Sequence, residues 1–311
     1  MNTAFLYGLT VLIWGTTWIA IKYQLGEVMV LASIGHRFLL SAIILWVFLG
    51  LTRRLERLPL RHQPFLVLQG LCLFCGNYYF VYTAEITLAS GLVAVVFGTM
   101  MLANVLNGYL FLRTPVRPLV VAGGLVGLAG IALVFWPVLR AFNLTDENFV
   151  ALLYCLAGTW LASAGNIIAA RNSREQLPLL QATAWAMSYG TGAAYVLALL
   201  LGTPITFDWQ PAYLLSLGFL ALFGSVLAFW AYLTLIGRIG PDRAGYANLL
   251  FPLMALGIST ALEGYEWTLL AAVGIALVLI GNWIAMTGGA AYSRSRMIRE
   301  KTAHPAADRH L

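Results

Sequence analysis

Apolar residues run through this 311-residue chain in ten stretches, each about as long as one bilayer crossing. They fall near 3–22, 30–51, 65–84, 90–111, 118–137, 149–170, 179–201, 212–236, 244–262 and 268–287. A hydrocarbon core of about 30 Å takes about 20 apolar residues wound as a helix, and in lipid a helix satisfies its own backbone. The pattern predicts an all-α polytopic membrane protein with ten transmembrane helices. Composition agrees, with 61% hydrophobic and 10% charged residues, against about 25% charged in soluble domains.

The polar gaps give an orientation. With the N-terminus inside, the inner segments 52–61, 113–117, 171–174 and 238–243 and the tail hold fifteen of the eighteen Lys and Arg residues. Only Lys22, Arg37 and Arg140 fall at outer ends. Basic residues gather on the cytoplasmic side of short loops, so both termini are expected in the cytoplasm, the protein lying multi-pass in a cell (inner) membrane. The net charge of +6 is spread over loops and tail. That distribution suits anionic headgroups and argues against nucleic acid as a partner. The first stretch lacks a charged start and has Trp14, Trp18 and Lys22 where a cleavable signal would need small residues.

Enzymatic chemistry finds no footing. Three of the four histidines, His62, His304 and His310, fall in loops or the tail, and Cys72-x-x-Cys75 has no second pair beside it. No metal motif or nucleophile–base set emerges, so no cofactor and no metal are expected.

The outer connection 138–148 divides the chain into a five-helix unit, 1–137, and a second one, 149–287, followed by a polar, basic tail, 288–311, expected to be disordered. An odd number of crossings per unit makes the second enter the membrane from the opposite side, the geometry of an inverted repeat. Gly123-x6-Gly130 recurs as Gly274-x6-Gly281, in the last helix of each half.

One segment is more specific. Tyr232 to Thr268 contains Gly240-Pro241-Asp242-Arg243-Ala244, then Pro252, then Glu263 or Glu266, then a glycine-bearing last helix. It resembles the repeat signature of the drug/metabolite transporter superfamily, EamA-like branch. WGTTWIAIK (14–22) and RFLLSAIIL (37–45) resemble that family's first and second helices. The first half departs from the pattern: Leu112-Arg113-Thr114-Pro115 lacks the acidic residue expected there, and Gly98-Thr99 stands where a proline is common. The resemblance implies two inverted five-helix repeats that move small organic solutes by alternating access, many members exporting amino acids or related metabolites.

Polar groups inside a span need a partner or a wet cavity. Trp14, Trp18 and Lys22 follow one another at one-turn intervals on the first helix, and Tyr78, Tyr82 and Glu85 form a stripe on the third, with Asn77 beside it. Asn104 on the fourth helix, Trp160 with Ser163 and Asn166 on the sixth, Phe229 and Tyr232 on the eighth, and Asn248 on the ninth complete the set. Trp14, Trp18, Tyr78, Tyr82, Asn104, Trp160 and Asn248 are expected to bind substrate; Lys22 and Glu85 are expected to form an outer gate. The competing readings are interhelical hydrogen bonding for Asn104 and headgroup contact for Lys22 and Arg37. Aromatic walls with neutral donors and acceptors suit a small amphipathic or zwitterionic solute. The reading is a transporter, acting as a monomer, that moves such metabolites outward: amino acids, aromatic or hydrophobic ones included. The alternatives are an importer of similar solutes and a non-transporting scaffold or receptor.

Overall fold

The computed structural model describes residues 2–24, 28–88, 90–262 and 268–303, and every regular element among them is helical. The first half comprises α1 (Thr3–Lys22), α2 (Val30–Leu51), α3 (Leu60–Thr87), α4 (Ser90–Gly98), α5 (Met100–Leu112) and α6 (Pro118–Val134). A short α7 (Trp136–Ala141) leads to the second half: α8 (Asp146–Arg174), α9 (Leu179–Leu200), α10 (Pro211–Ile239), the four-residue α11 (Pro241–Ala244), α12 (Ala247–Leu262) and α13 (Leu269–Ala303).

Helices fall on each predicted stretch, but the match is not one helix to one crossing. Among the described residues, six helices are long and apolar enough to span a membrane: Val30–Leu51, Leu60–Thr87, Val95–Leu112, Asp146–Arg174, Pro211–Ile239 and Leu269–Thr287. Thr3–Thr17 and Pro118–Val134 are shorter apolar helices. Gln181, Thr183, Ser188 and Thr191 lower the apolarity of α9, and α12 has only 16 residues. The stretch expected at 90–111 is two helices meeting at Thr99, and α7 and α11 lie outside the expected set. Helix length and composition alone therefore do not give a count of ten. Helix α13 continues to Ala303, because residues 293–303 contain neither Gly nor Pro and include several good helix formers.

Local chemistry sets the helix ends. The Asn2 side chain accepts from the Ala4 N–H at the start of α1, and Thr145 accepts from Asn148 at the start of α8. Asp146 and Glu147 add negative charge to that first turn. Pro118, Pro211 and Pro241 each open a helix at a position where no N–H is missed. The α10–α11 turn needs a positive φ, supplied by Gly240 at 86°.

The halves interlock in a pattern that survives their exchange. Helix α6 packs on α13 and α2 on α9; α1 packs on α10 and α12, just as α8 packs on α3 and α5. Glycine makes the first contact close. A Cβ on Gly123 would lie 2.5 Å from the Gly281 carbonyl oxygen, and one on Gly281 would lie 2.4 Å from that of Gly123. Gly130 and Gly274 repeat the reciprocity at 2.5 and 2.6 Å. The two glycine pairs thus meet in reverse order, and α6 and α13 run antiparallel with their backbones in contact. Where lipid tails are as apolar as side chains, such close approach supplies the packing energy.

The third helix of each half contains a π-helical segment, Gly70–Gly76 in α3 and Leu220–Leu227 in α10. Wider turns offer carbonyls to side chains, and π segments concentrate at functional sites. Here Ala221 O accepts from the Ser41 hydroxyl at 3.2 Å, while Gly224 O accepts from Trp14 Nε1 at 3.0 Å and from Arg37 at 3.2 Å.

Candidate functional site: a cavity between the two halves

A cavity of about 110 Å³ lies where α1 to α5 face α8, α10 and α12. Its aromatic wall is built around Trp14. That indole meets Phe229 edge-on at 5.0 Å between ring centres, Phe251 at 5.2 Å and Tyr232 at 4.9 Å. Across from it, Tyr78 packs edge-on against Tyr82 at 5.7 Å and against Phe38 at 4.9 Å. The Trp14 bond to Gly224 O fixes the indole in the cavity wall.

Arg37 supplies the cavity with a cation. It is only 2% exposed. Its Nε donates to Ser225 Oγ at 2.9 Å, one terminal nitrogen to the Tyr82 hydroxyl at 3.2 Å, and the other to Gly224 O at 3.2 Å. The guanidinium carbon also sits 5.0 Å from the centre of the Tyr78 ring. Each of these hydrogen-bond partners is a neutral group. A buried charge held this way is oriented but not neutralised.

Asn77, Glu85, Asn166 and Asn248 also line the cavity. Asn166 donates through Nδ2 to the Tyr232 hydroxyl at 3.1 Å and to Asn104 Oδ1 at 3.4 Å. Asn104, fully buried, donates in turn to Pro241 O at 2.9 Å. Asn248 donates to Gly245 O at 2.9 Å. On the far side of this network Arg117 meets Asp242 at 3.8 Å, and the Tyr246 hydroxyl donates to Val120 O. These contacts tie the α10–α12 turn to the first half.

The residues expected from sequence are distributed unevenly. Trp14, Tyr78, Tyr82, Asn248 and Glu85 line one cavity. Asn104 lies one residue behind the wall and acts through Asn166. Trp160 is 45% exposed on the outer surface of α8. Ala162, which does line the cavity, is two residues along, about 200° around the helix, so the indole faces away. The side chains of Trp18 and Lys22 lie outside the described residues, as do Glu263 and Glu266.

Sequence alone puts Arg37 at an outer helix end and notes Asn77 and Asn166 among the polar positions without assigning either to the substrate-binding set. A usable signal was present. Ser33, Arg37 and Ser41 recur every four residues on α2, and all three are buried, while Leu39, Ile43 and Val47 on other faces are exposed. On α8, Gly158, Ala162, Gly165 and Ala169 mark the packed side in the same way.

The EamA-like transporter family model matches this chain twice, over residues 2–136 and 149–287. The inner membrane transporter YedA of Escherichia coli (strain K12) is 31% identical over 277 residues, covering 86% of this chain and 87% of that protein. Protein PagO of Salmonella typhimurium is 21% identical over 293 residues, covering 92% and 93%. A crystal structure with 20% identity superposes with a TM-score of 0.71 over 91% of this chain and 96% of its own, a likeness of fold. With both halves matched and such a relative along most of its length, the chain belongs to the EamA-like transporter family and is a membrane transporter.

Proposed function

We propose that this transporter exports small zwitterionic or amphipathic metabolites across the inner membrane, principally amino acids with aromatic or hydrophobic side chains. Arg37 carries the reading. A guanidinium buried against neutral partners at the cavity wall is a ready seat for a carboxylate, which would supply the missing charge through a paired hydrogen bond. The surface around Trp14, Phe229 and Phe251 takes the apolar part of the solute. Export is the direction implied by resemblance to the family.

The exchange-invariant packing and the antiparallel α6–α13 pair favour two inverted repeats of five crossings each, ten in all, with both termini cytoplasmic. Alternating access follows if one set of interlocked helices rocks against the other around the cavity. In this scheme Glu85 and Lys22 close the outer side, where a low local dielectric strengthens their attraction.

The test is flux of radiolabelled amino acids from liposomes containing the purified protein. Phenylalanine and leucine are expected to move at least several-fold faster than aspartate or lysine, whose second charge has no seat in an aromatic wall. Equal rates for all four, or flux no greater than in empty liposomes, would overturn the reading.

A further inference from the structure

Arg37 engages three of its five N–H donors and keeps one on each terminal nitrogen, while Asn248 Nδ2 and Asn166 Nδ2 are bonded. Three lining residues nevertheless each present a buried oxygen without a partner: Asn77 Oδ1, Asn166 Oδ1 and Glu85 Oε1. Asn77 is 6% exposed and Asn166 1%. A buried amide oxygen left unpaired costs free energy, so two of them beside the same cavity need a reason.

The orientation of Asn166 is dictated from a distance. A backbone carbonyl can only accept, so Pro241 O requires Asn104 to present its amide nitrogen. Asn104 Oδ1 is then the atom facing Asn166, which must present nitrogen as well. Turning Asn166 over would set two carbonyl oxygens against each other. The α10–α11 turn therefore fixes, through Asn104, which end of Asn166 is held and which end is left unpaired.

From this arrangement we infer an ammonium subsite in which Asn166 Oδ1 and Asn77 Oδ1 accept hydrogen bonds from a substrate –NH3+ group. An ammonium brings three donors and no acceptor, the complement of these unpaired oxygens. The aromatic faces that line the same cavity also favour positive charge there. The inference rests on the zwitterion reading for the other end of the solute, where Arg37 holds the carboxylate. It also makes Asn104 a positioning residue. Occupancy of the subsite is linked through Asn104 to the Gly240–Pro241 turn, so a turn that moves during transport would release Asn166 and weaken the hold on the ammonium.

Three probes with a common phenyl ring separate the two ends: phenylalanine, 2-phenylethylamine with only the ammonium, and 3-phenylpropionate with only the carboxylate. Their affinities are measured by calorimetry on the purified full chain, wild type and variant. Asn166→Leu is expected to weaken the amine about tenfold or more, the value of a hydrogen bond to a charged group, and to leave the carboxylate probe within about twofold. Asn77→Leu repeats the measurement from a different helix if Asn166→Leu does not fold. Equal weakening of both probes, no change in the amine, or no binding of the amine to wild type would each overturn the subsite. Amine binding that depends on the asparagines, with no binding of phenylalanine or of the carboxylate probe, would keep the subsite and overturn the zwitterion reading instead.

Discussion

Replacing Arg37 with Gln is expected to lower amino-acid flux about a hundredfold, the scale on which removing one side of a buried, hydrogen-bonded charge pair acts. Gln keeps polarity and some hydrogen bonding to Ser225, Tyr82 and Gly224 O, so the fold should survive. It cannot offer a substrate carboxylate either a charge or a two-pronged donor. Arg37→Lys is expected to recover little. An ammonium is a point charge with three donors, and it cannot serve three separated neutral partners and a carboxylate in the planar geometry that guanidinium provides. Thermal unfolding in detergent, measured beside flux, distinguishes a lost substrate contact from a lost structure. Normal flux through Arg37→Gln would reduce the cation to a structural tie between α2 and α10.

The second large effect is on stability. Gly281→Val is expected to destabilise the protein by about 3 kcal/mol or more, at or beyond the upper end for overpacking. A Cβ at Gly281 would lie 2.4 Å from Gly123 O and 2.6 Å from Gly127 N. Both are backbone atoms of a helix, so no side chain can swing aside, and relief requires α6 and α13 to separate. Separation would also loosen the Gly130–Gly274 contact further along the same pair. Gly192→Ala is the control. Nothing lies within 4 Å of its added Cβ, and alanine favours the helix, so its unfolding midpoint should match wild type or exceed it.

The contrast between Gly281 and Gly192 also shows what the chain reveals before folding. Apolar length marks helices reliably, because a lipid-crossing segment has few alternatives. It does not mark faces. In a soluble helix hydrophobicity separates inside from outside, whereas here Leu39 and Ile43 on the surface are as apolar as Phe38 in the core. Trp160 is the instance: an aromatic residue beside Ser163 and Asn166 reads as cavity wall, yet it faces outward. Residues that cannot face lipid cheaply were better guides. Asn248, Tyr82 and Glu85 fell at the cavity because a polar group in a span needs company, and the same logic applied to the Ser33–Arg37–Ser41 stripe locates Arg37. The relay from Pro241 to Asn166 could not be read in advance, since it joins α5, α8 and the α10–α11 turn across more than 130 positions of sequence. The repeated Gly-x6-Gly spacing was visible, but that each glycine meets its partner in reverse order emerged only from packing.

The central claim is that solute passes through the cavity between the halves, and a thiol placed on its wall tests this most directly. Ala162 lines the cavity and is small, so Ala162→Cys, with Cys72, Cys75 and Cys155 replaced by alanine, should transport normally. Reaction with a small charged methanethiosulfonate reagent is then expected to stop flux, and saturating phenylalanine should slow the reaction. The same reagent on Trp160→Cys, on the outward face of α8, should leave flux unchanged. Full modification of Ala162→Cys with flux at the unmodified rate would contradict the account.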